Sequence, residues 1–123
     1  MPAPQMENTA ALFGDARTPF LSAREVERRL GVTQSELAQL AGLSRNTLAS
    51  DKSSRKVDDA LSPLVRIIAM AAEMAGDEQR AAVWFKHQPI PGWAGKTAFD
   101  LVKEGKADKV LAYLEAVRSG VYA

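Results

Sequence analysis

The segment from Ala60 to Ala75 constrains the fold more than any other. Leu61, Leu64, Val65, Ile68, Ala72 and Ala75 recur at the i, i+3, i+4, i+7 spacing of an amphipathic helix. A second apolar row, Ile67, Met70, Ala71 and Met74, covers much of the opposite side. A helix that is apolar on two sides needs two surfaces to pack against: one from its own domain, the other from a second subdomain or a dimer mate. Pro63 falls in the first turn of this reading, where a missing amide hydrogen does little harm.

Short helices flank this element, each marked by a cap and a stop. Ser22 with Glu25 opens the first, with Val26 and Leu30 on one face and Gly31 at its end. Thr33 with Glu36 opens the second, with Leu37, Ala38 and Leu40 apolar, and Gly42 breaks it after about two turns. Ser44 starts a third helix through about Asp51, turning Thr47 and Leu48 inward, and Lys52 to Lys56 form a polar hinge or wing. After the long helix, Gly76 and Asp77 lead into a helix to about His87 that turns Ala81, Trp84 and Phe85 inward. Pro89 to Gly95 holds two prolines and two glycines in seven residues and cannot continue as a helix. Thr97 with Asp100 caps a short helix stopped by Gly105, and Ala107 to Arg118 forms the last, with Val110, Leu111, Leu114 and Val117 on one stripe. No segment alternates with period two over more than three or four residues, so the fold class is all-α.

Residues 1–20 hold three of the six prolines and no sustained period, and read as a mobile arm with Leu12, Phe13 and Phe20 as anchoring groups. At the other end the chain stays apolar through Gly120-Val121-Tyr122-Ala123, which suggests docking on its own core or capture by a partner.

Several functions are excluded by what the chain lacks. Without cysteine there is no disulfide, thiolate metal site or thiol nucleophile. His87 is the sole histidine, so neither a two-histidine metal site nor a Ser-His-Asp relay can be assembled within the chain. Gly95-Lys96-Thr97 matches the end of a nucleotide-binding P-loop, but Gly92 lies too close and the preceding segment is helical, so the amide cradle would be too short for a phosphate. No catalytic group, metal or cofactor is expected, and the chain reads as a non-enzyme. No apolar run reaches the length of a membrane span and no signal segment opens the chain. A soluble, cytoplasmic protein is therefore expected.

The net charge of +1 decides nothing about nucleic acid, because binding depends on a local patch. Between residues 43 and 56, Arg45, Lys52, Arg55 and Lys56 face only Asp51, a local excess of +3. Thr33 to Ser50 has the spacing of a helix-turn-helix, whose second helix enters the major groove by its N-terminal residues. On such a docking Gln34 reaches a phosphate and Arg45 and Asn46 can bond guanine and adenine bidentately. Ser44, Thr47 and Ser50 can bond bases or phosphates, while Lys52 and Arg55 supply charge nearby. An αα-corner with polar surface residues has the same local pattern. Thr-Gln-x-x-Leu-Ala-x-x-x-Gly-x-Ser-x-x-Thr-Leu, at residues 33–48, resembles the Xre/Cro-type helix-turn-helix.

The second half adds a further resemblance. Ile68-Ala69, Met70 to Gly76, Ala81-x-x-Trp84-Phe85, Pro89, Gly95-Lys96-Thr97, Asp100-Leu101-Val102, Gly105, Val110-Leu111, Leu114 and the closing Gly120 to Ala123 stand in ordered spacing. Together they resemble the toxin-binding region of the Xre/MbcA/ParS antitoxin family. Ala98 departs from the proline that family commonly has there. The resemblance implies three segments: the arm at 1–20, a helix-turn-helix DNA-binding domain at 21–59, and a toxin-binding domain at 60–123. It further implies an antitoxin that neutralises a RES-domain, NAD-degrading toxin, binds its own operator DNA, and acts as a homodimer or larger hetero-oligomer with the toxin. Toxin contact then falls to Trp93, Lys96, Lys103, Arg118, Gly120, Val121, Tyr122 and Ala123. A stand-alone transcriptional regulator with a C-terminal dimerisation or ligand-binding module is the alternative.

Overall fold

The computed structural model describes residues 22–50 and 55–120. The arm before Leu21 and the residues Val121, Tyr122 and Ala123 lie outside the described residues, as do Lys52 and its immediate neighbours. Among the described residues there are seven helices and no strands, as the sequence pattern predicts: α1 (Ala23–Leu30), α2 (Gln34–Ala41), α3 (Arg45–Ser50), α4 (Arg55–Ala75), α5 (Glu78–His87), α6 (Ala98–Lys103) and α7 (Ala107–Arg118).

The predicted caps are made by the expected atoms. Ser22 Oγ accepts the amide hydrogen of Glu25 at 3.2 Å. Thr33 and Glu36 complete a reciprocal box, Glu36 N to Thr33 Oγ1 at 3.0 Å and Thr33 N to Glu36 Oε1 at 2.8 Å. Asp77 Oδ1 accepts from the amide of Gln79 at 2.7 Å. Each cap satisfies helix-end donors that have no partner inside the helix. Gly31 and Gly42 end α1 and α2 at φ +71° and +69°, the left-handed conformation that closes a helix without a Cβ clash.

The long helix begins earlier than its periodicity indicates. α4 starts at Arg55, because Val57, one turn before Leu61, is fully buried and brings an extra turn onto the core. Arg55 and Lys56 are therefore the exposed first residues of this helix and not part of a hinge, and Pro63 lies inside it, well past the first turn. The carbonyl that loses its donor to Pro63 is that of Asp59, four residues back and on the exposed side, where water can replace the bond.

Both apolar rows of α4 find cover within the chain as far as Ala71. Leu61, Leu64, Val65, Ile67, Ile68 and Ala71 are buried, and α1, α2, α5 and α7 all pack against this helix. One contiguous core results. It joins Val26, Leu30, Leu37, Leu40 and Leu48 from the first three helices to Phe85, Ile90, Leu101, Val110 and Leu114 from the last three and the loop between them. α2 also touches α6, and α1 touches α5. Two polar ties reinforce that junction: Arg29 Nε lies 3.2 Å from Glu78 Oε1, and Lys86 Nζ donates to the carbonyl of Gly31 at 3.2 Å.

Some residues predicted to point inward stop part-way. Trp84 is half-buried whereas Ala81 and Phe85 are fully buried, because the indole sits at the rim where α5 meets α7. On α7 the stripe divides: Val110 and Leu114 are buried, Leu111 and Val117 only partly. Thr47 is half-buried beside the fully buried Leu48.

Candidate functional site

Three surfaces carry the residues of interest. The first is formed by α2 and α3, joined by the three-residue turn Gly42-Leu43-Ser44. The turn is fixed by Gly42 N–H bonding back to α2 and by Leu43 N donating to Ala38 O at 2.9 Å. Leu48, buried against the core, orients α3 so that Arg45 and Asn46 are exposed at its start. Ser44 Oγ accepts the amide hydrogen of Thr47 at 3.0 Å and donates to Thr47 Oγ1 at 2.9 Å. The Ser44 hydroxyl is thus first of all a capping group for α3, and the Thr47 hydroxyl its acceptor. Gln34, Ser44, Arg45, Asn46 and Ala49 line one shallow concavity, which brings these predicted DNA-contacting residues together. Gln34 also borders a second concavity with Arg24 and Glu27 of α1. Arg24 adds an exposed cation there that the sequence reading missed, since nothing in the local pattern of α1 links it to α3. Ser50 ends α3 and Arg55 opens α4, on either side of the segment containing Lys52.

The second surface surrounds the loop from Gln88 to Thr97. Ile90, buried, anchors the loop, its N–H donating to Lys96 O at 2.8 Å, while Trp93 and Ile90 close an inner turn at 3.3 Å. An isolated antiparallel bridge pairs Pro89 with Thr97. Ala94 takes φ +55°, an uncommon left-handed conformation for a residue with a Cβ, between Gly92 and Gly95 at +87° and +83°. The loop delivers Thr97, which caps α6: its Oγ1 accepts from Asp100 N at 3.2 Å and Asp100 Oδ2 accepts from Thr97 N at 3.0 Å. The Gly95-Lys96-Thr97 fragment is therefore a turn into a helix cap.

Around this loop the polar and aromatic groups interlock. Lys96 Nζ lies 2.7 Å from Glu104 Oε2, and Lys106 Nζ lies 3.4 Å from Glu104 Oε1. The hydrogen bond from Lys96 holds the Glu104 carboxyl below its ordinary range, with Lys106 adding to the effect and desolvation opposing it. Lys106 Nζ also sits 5.6 Å from the centroid of Trp93, and Lys103 Nζ 5.5 Å from that of Phe99. Phe99 in turn meets Phe85 edge-to-face at 5.9 Å. Trp93 and Lys96 are thus joined through Glu104 and Lys106, while Lys103 stands on Phe99 in a separate contact. Glu104 and Lys106, which make that link, were not singled out from sequence; the eight-residue gap between Lys96 and Glu104 gives no periodic signal.

Arg118 stands apart from these contacts. It closes α7, a helix about 18 Å long, and pairs with Glu115 of its own turn and, at 3.7 Å, with Glu73 of α4. Gly120 follows at φ +87°, its N–H donating to Val117 O at 3.0 Å. The predicted toxin-contacting residues are therefore split between the two ends of α7.

The third surface was not foreseen. Ala71, Met74 and Ala75 of α4, Ala81 and Trp84 of α5, and Tyr113, Leu114 and Val117 of α7 line an apolar groove of about 240 Å³. Its sequence signal is the second apolar row of α4, which runs out to the surface at Met74.

Among the described residues no group of histidine, cysteine or carboxylate side chains could hold a metal ion, and no helix is long and apolar enough to cross a membrane. Compared with known families, residues 70–120 match the model of the antitoxin Xre/MbcA/ParS C-terminal toxin-binding domain. The matched span includes the capped loop, with Trp93 and Lys96, and all of α5 to α7. No curated protein and no solved structure matches the chain.

Proposed function

We propose that the chain is the antitoxin of a type II toxin–antitoxin system, because residues 70–120 match the model of the antitoxin Xre/MbcA/ParS C-terminal toxin-binding domain. Its toxin is a RES-domain protein that degrades NAD, and this chain neutralises it by binding, without chemistry of its own. The observation that carries the reading is the family match, which falls on the part of the chain that holds Trp93, Lys96, Lys103 and the exit at Gly120. Trp93 is of the aromatic type enriched in protein–protein contacts, where a ring supplies rigid apolar area, and the lysines supply charge for a polar rim. The tail beyond Gly120 contributes Val121, Tyr122 and Ala123, which reach towards the toxin cleft.

The paired helices α2 and α3 serve a second role in this reading, binding operator DNA as a helix-turn-helix. Exposed Arg45 and Asn46 at the start of α3, with Gln34 beside them, support it. The protein acts as a homodimer or within a larger complex with toxin, and binding two half-sites about one DNA turn apart follows from that symmetry.

The test is to co-express the chain with a RES-type protein encoded beside it, isolate the complex, and follow NAD loss by the toxin with and without the antitoxin. Neutralisation in a co-purifying complex is expected. A toxin that consumes NAD equally fast in both cases refutes the pairing. Deleting Gly120 to Ala123 weakens neutralisation and leaves DNA binding within a few-fold. The reverse pattern refutes the division of labour between tail and helix pair.

A further inference from the structure

The groove between the C-terminal halves of α4 and α7 and the middle of α5 is an apolar surface with no cover among the described residues. Met74, at 37% exposure, lines it, and Val83, at 58%, lies in the adjoining concavity that shares Trp84. These two are the exposed large hydrophobic residues of the described chain. At about 240 Å³ the groove is smaller than the roughly 300 to 1,000 Å³ of a typical small-molecule site. It has room for one or two side chains and not for a cofactor.

We propose that the groove is the resting place of the chain's own tail, with the Tyr122 ring seated between Trp84, Tyr113 and Val117. Four observations converge on this occupant. The described chain leaves α7 at Gly120, three residues after Val117, which itself lines the groove. Gly120 is left-handed at φ +87° and its N–H bonds back to Val117 O, the turn by which a chain leaving a helix reverses across its last turn. Two extended residues beyond Gly120 reach about 7 Å, more than the rise of about 4.5 Å back from Gly120 to Val117, and a tyrosine side chain extends the reach further towards Tyr113. The groove is also apolar, as are Val121 and Tyr122 for most of their surface.

Length of tether favours the tail over other occupants. A segment held a few residues from its site has a high effective concentration and closes a short loop at little entropic cost. The arm at residues 1–21, with Leu12, Phe13 and Phe20, enters at the far end of α1 and must close a longer loop. A second copy of the chain would have to give up translational freedom for a groove this small.

Docking would make the tail a self-masking element. While it lies on α4, α5 and α7 it is not available to another protein, so apparent affinity for a tail-binding partner falls in proportion to the docked fraction. That consequence rests on the toxin reading. The docking itself does not, and its test uses no toxin, so the two can fail separately.

The test uses the full chain carrying Trp93→Phe, which leaves Trp84 as the single indole, and measures acrylamide quenching of its fluorescence. The Trp84 ring is expected to be protected, with protection lost on deleting Val121 to Ala123 or in Tyr122→Ala and retained in Tyr122→Phe. Unchanged far-UV circular dichroism shows that the variants remain folded. Nuclear Overhauser contacts between the Tyr122 ring and the Val117 methyls are expected in the same protein. Equal quenching with and without the tail overturns the proposal. Protection that grows with protein concentration assigns the groove to a second copy, and protection lost on removing residues 1–21 instead assigns it to the arm; both overturn it as well.

Discussion

Leu37→Ala tests whether the helix pair α2–α3 and the segment that matches the family model stand or fall together. Leu37 lies on α2, is wholly inaccessible to solvent, and belongs to the core cluster that continues through α4 into Phe85 and Leu101. Truncating such a leucine removes its transfer free energy and leaves a cavity that neighbours only partly fill, about 2 to 5 kcal/mol in total. Taking about 3 kcal/mol, and an unfolding entropy of about 2.1 cal/mol/K per residue or about 0.26 kcal/mol/K for this length, the midpoint falls by about 12 °C. The assay is thermal unfolding followed in parallel by far-UV circular dichroism and by tryptophan fluorescence. Both tryptophans, Trp84 and Trp93, lie in the second half of the chain and pack against the shared core. A single cooperative unit requires the fluorescence transition to move with the helical signal. If fluorescence keeps its original midpoint while part of the helical signal melts early, the continuous core does not act as one unit and the reasoning fails.

Three further outcomes follow from the site geometry. Thr97→Ala removes the side-chain cap of α6, a six-residue helix too short to persist alone, and costs about 1 kcal/mol by thermal unfolding; a change within error would mean that Asp100 and the Pro89 bridge hold the helix start without it. Glu104 should titrate below the ordinary glutamate value of about 4.3, because Lys96 and Lys106 favour its ionised form. With its folded pKa depressed, its contribution to stability is present above the unfolded value and lost as pH falls through the folded one; a carboxyl carbon titration by NMR checks this, and Lys96→Met should raise the midpoint. Arg45→Ala should cost about 1 to 3 kcal/mol of sequence-specific DNA binding if the guanidinium reads a base edge, whereas a uniform loss with a shallower salt slope would make it a phosphate contact.

The parts of the fold that could be read from sequence are those decided within four or five residues. Thr33 with Glu36 and Thr97 with Asp100 are reciprocal caps closed by neighbours three apart, and both form with the expected atoms. Gly31, Gly42 and Gly105 stop helices because a left-handed residue is required where each stands, again a local demand. The start of α4 could not be read in the same way. Its periodicity is clear from Leu61 onwards, but the additional turn depends on Val57 finding space against other helices, and the neighbouring Arg55, Lys56, Asp58 and Asp59 give it no local apolar pattern. Tertiary burial extended the helix past the point where the pattern stopped, and it placed Pro63 at a position that local rules disfavour.

The candidate site divides along the same line. Arg45 and Asn46 could be picked out because a capped turn fixes where a short helix begins, and the first residues of that helix project together. The Glu104 clasp of Lys96 and Lys106 and the groove lined by Met74, Trp84, Tyr113 and Val117 required three separate elements to be placed before any of those residues met. Each residue alone reads as a surface charge or a stripe member, and only their juxtaposition gives them a role. The long helix supplies that juxtaposition. By burying residues of both rows it gathers α1, α2, α5 and α7 onto one core, and where its second row reaches Met74 the cover ends. The apolar edge left there faces the last turn of α7, so the tail that leaves at Gly120 emerges beside the surface most in need of it.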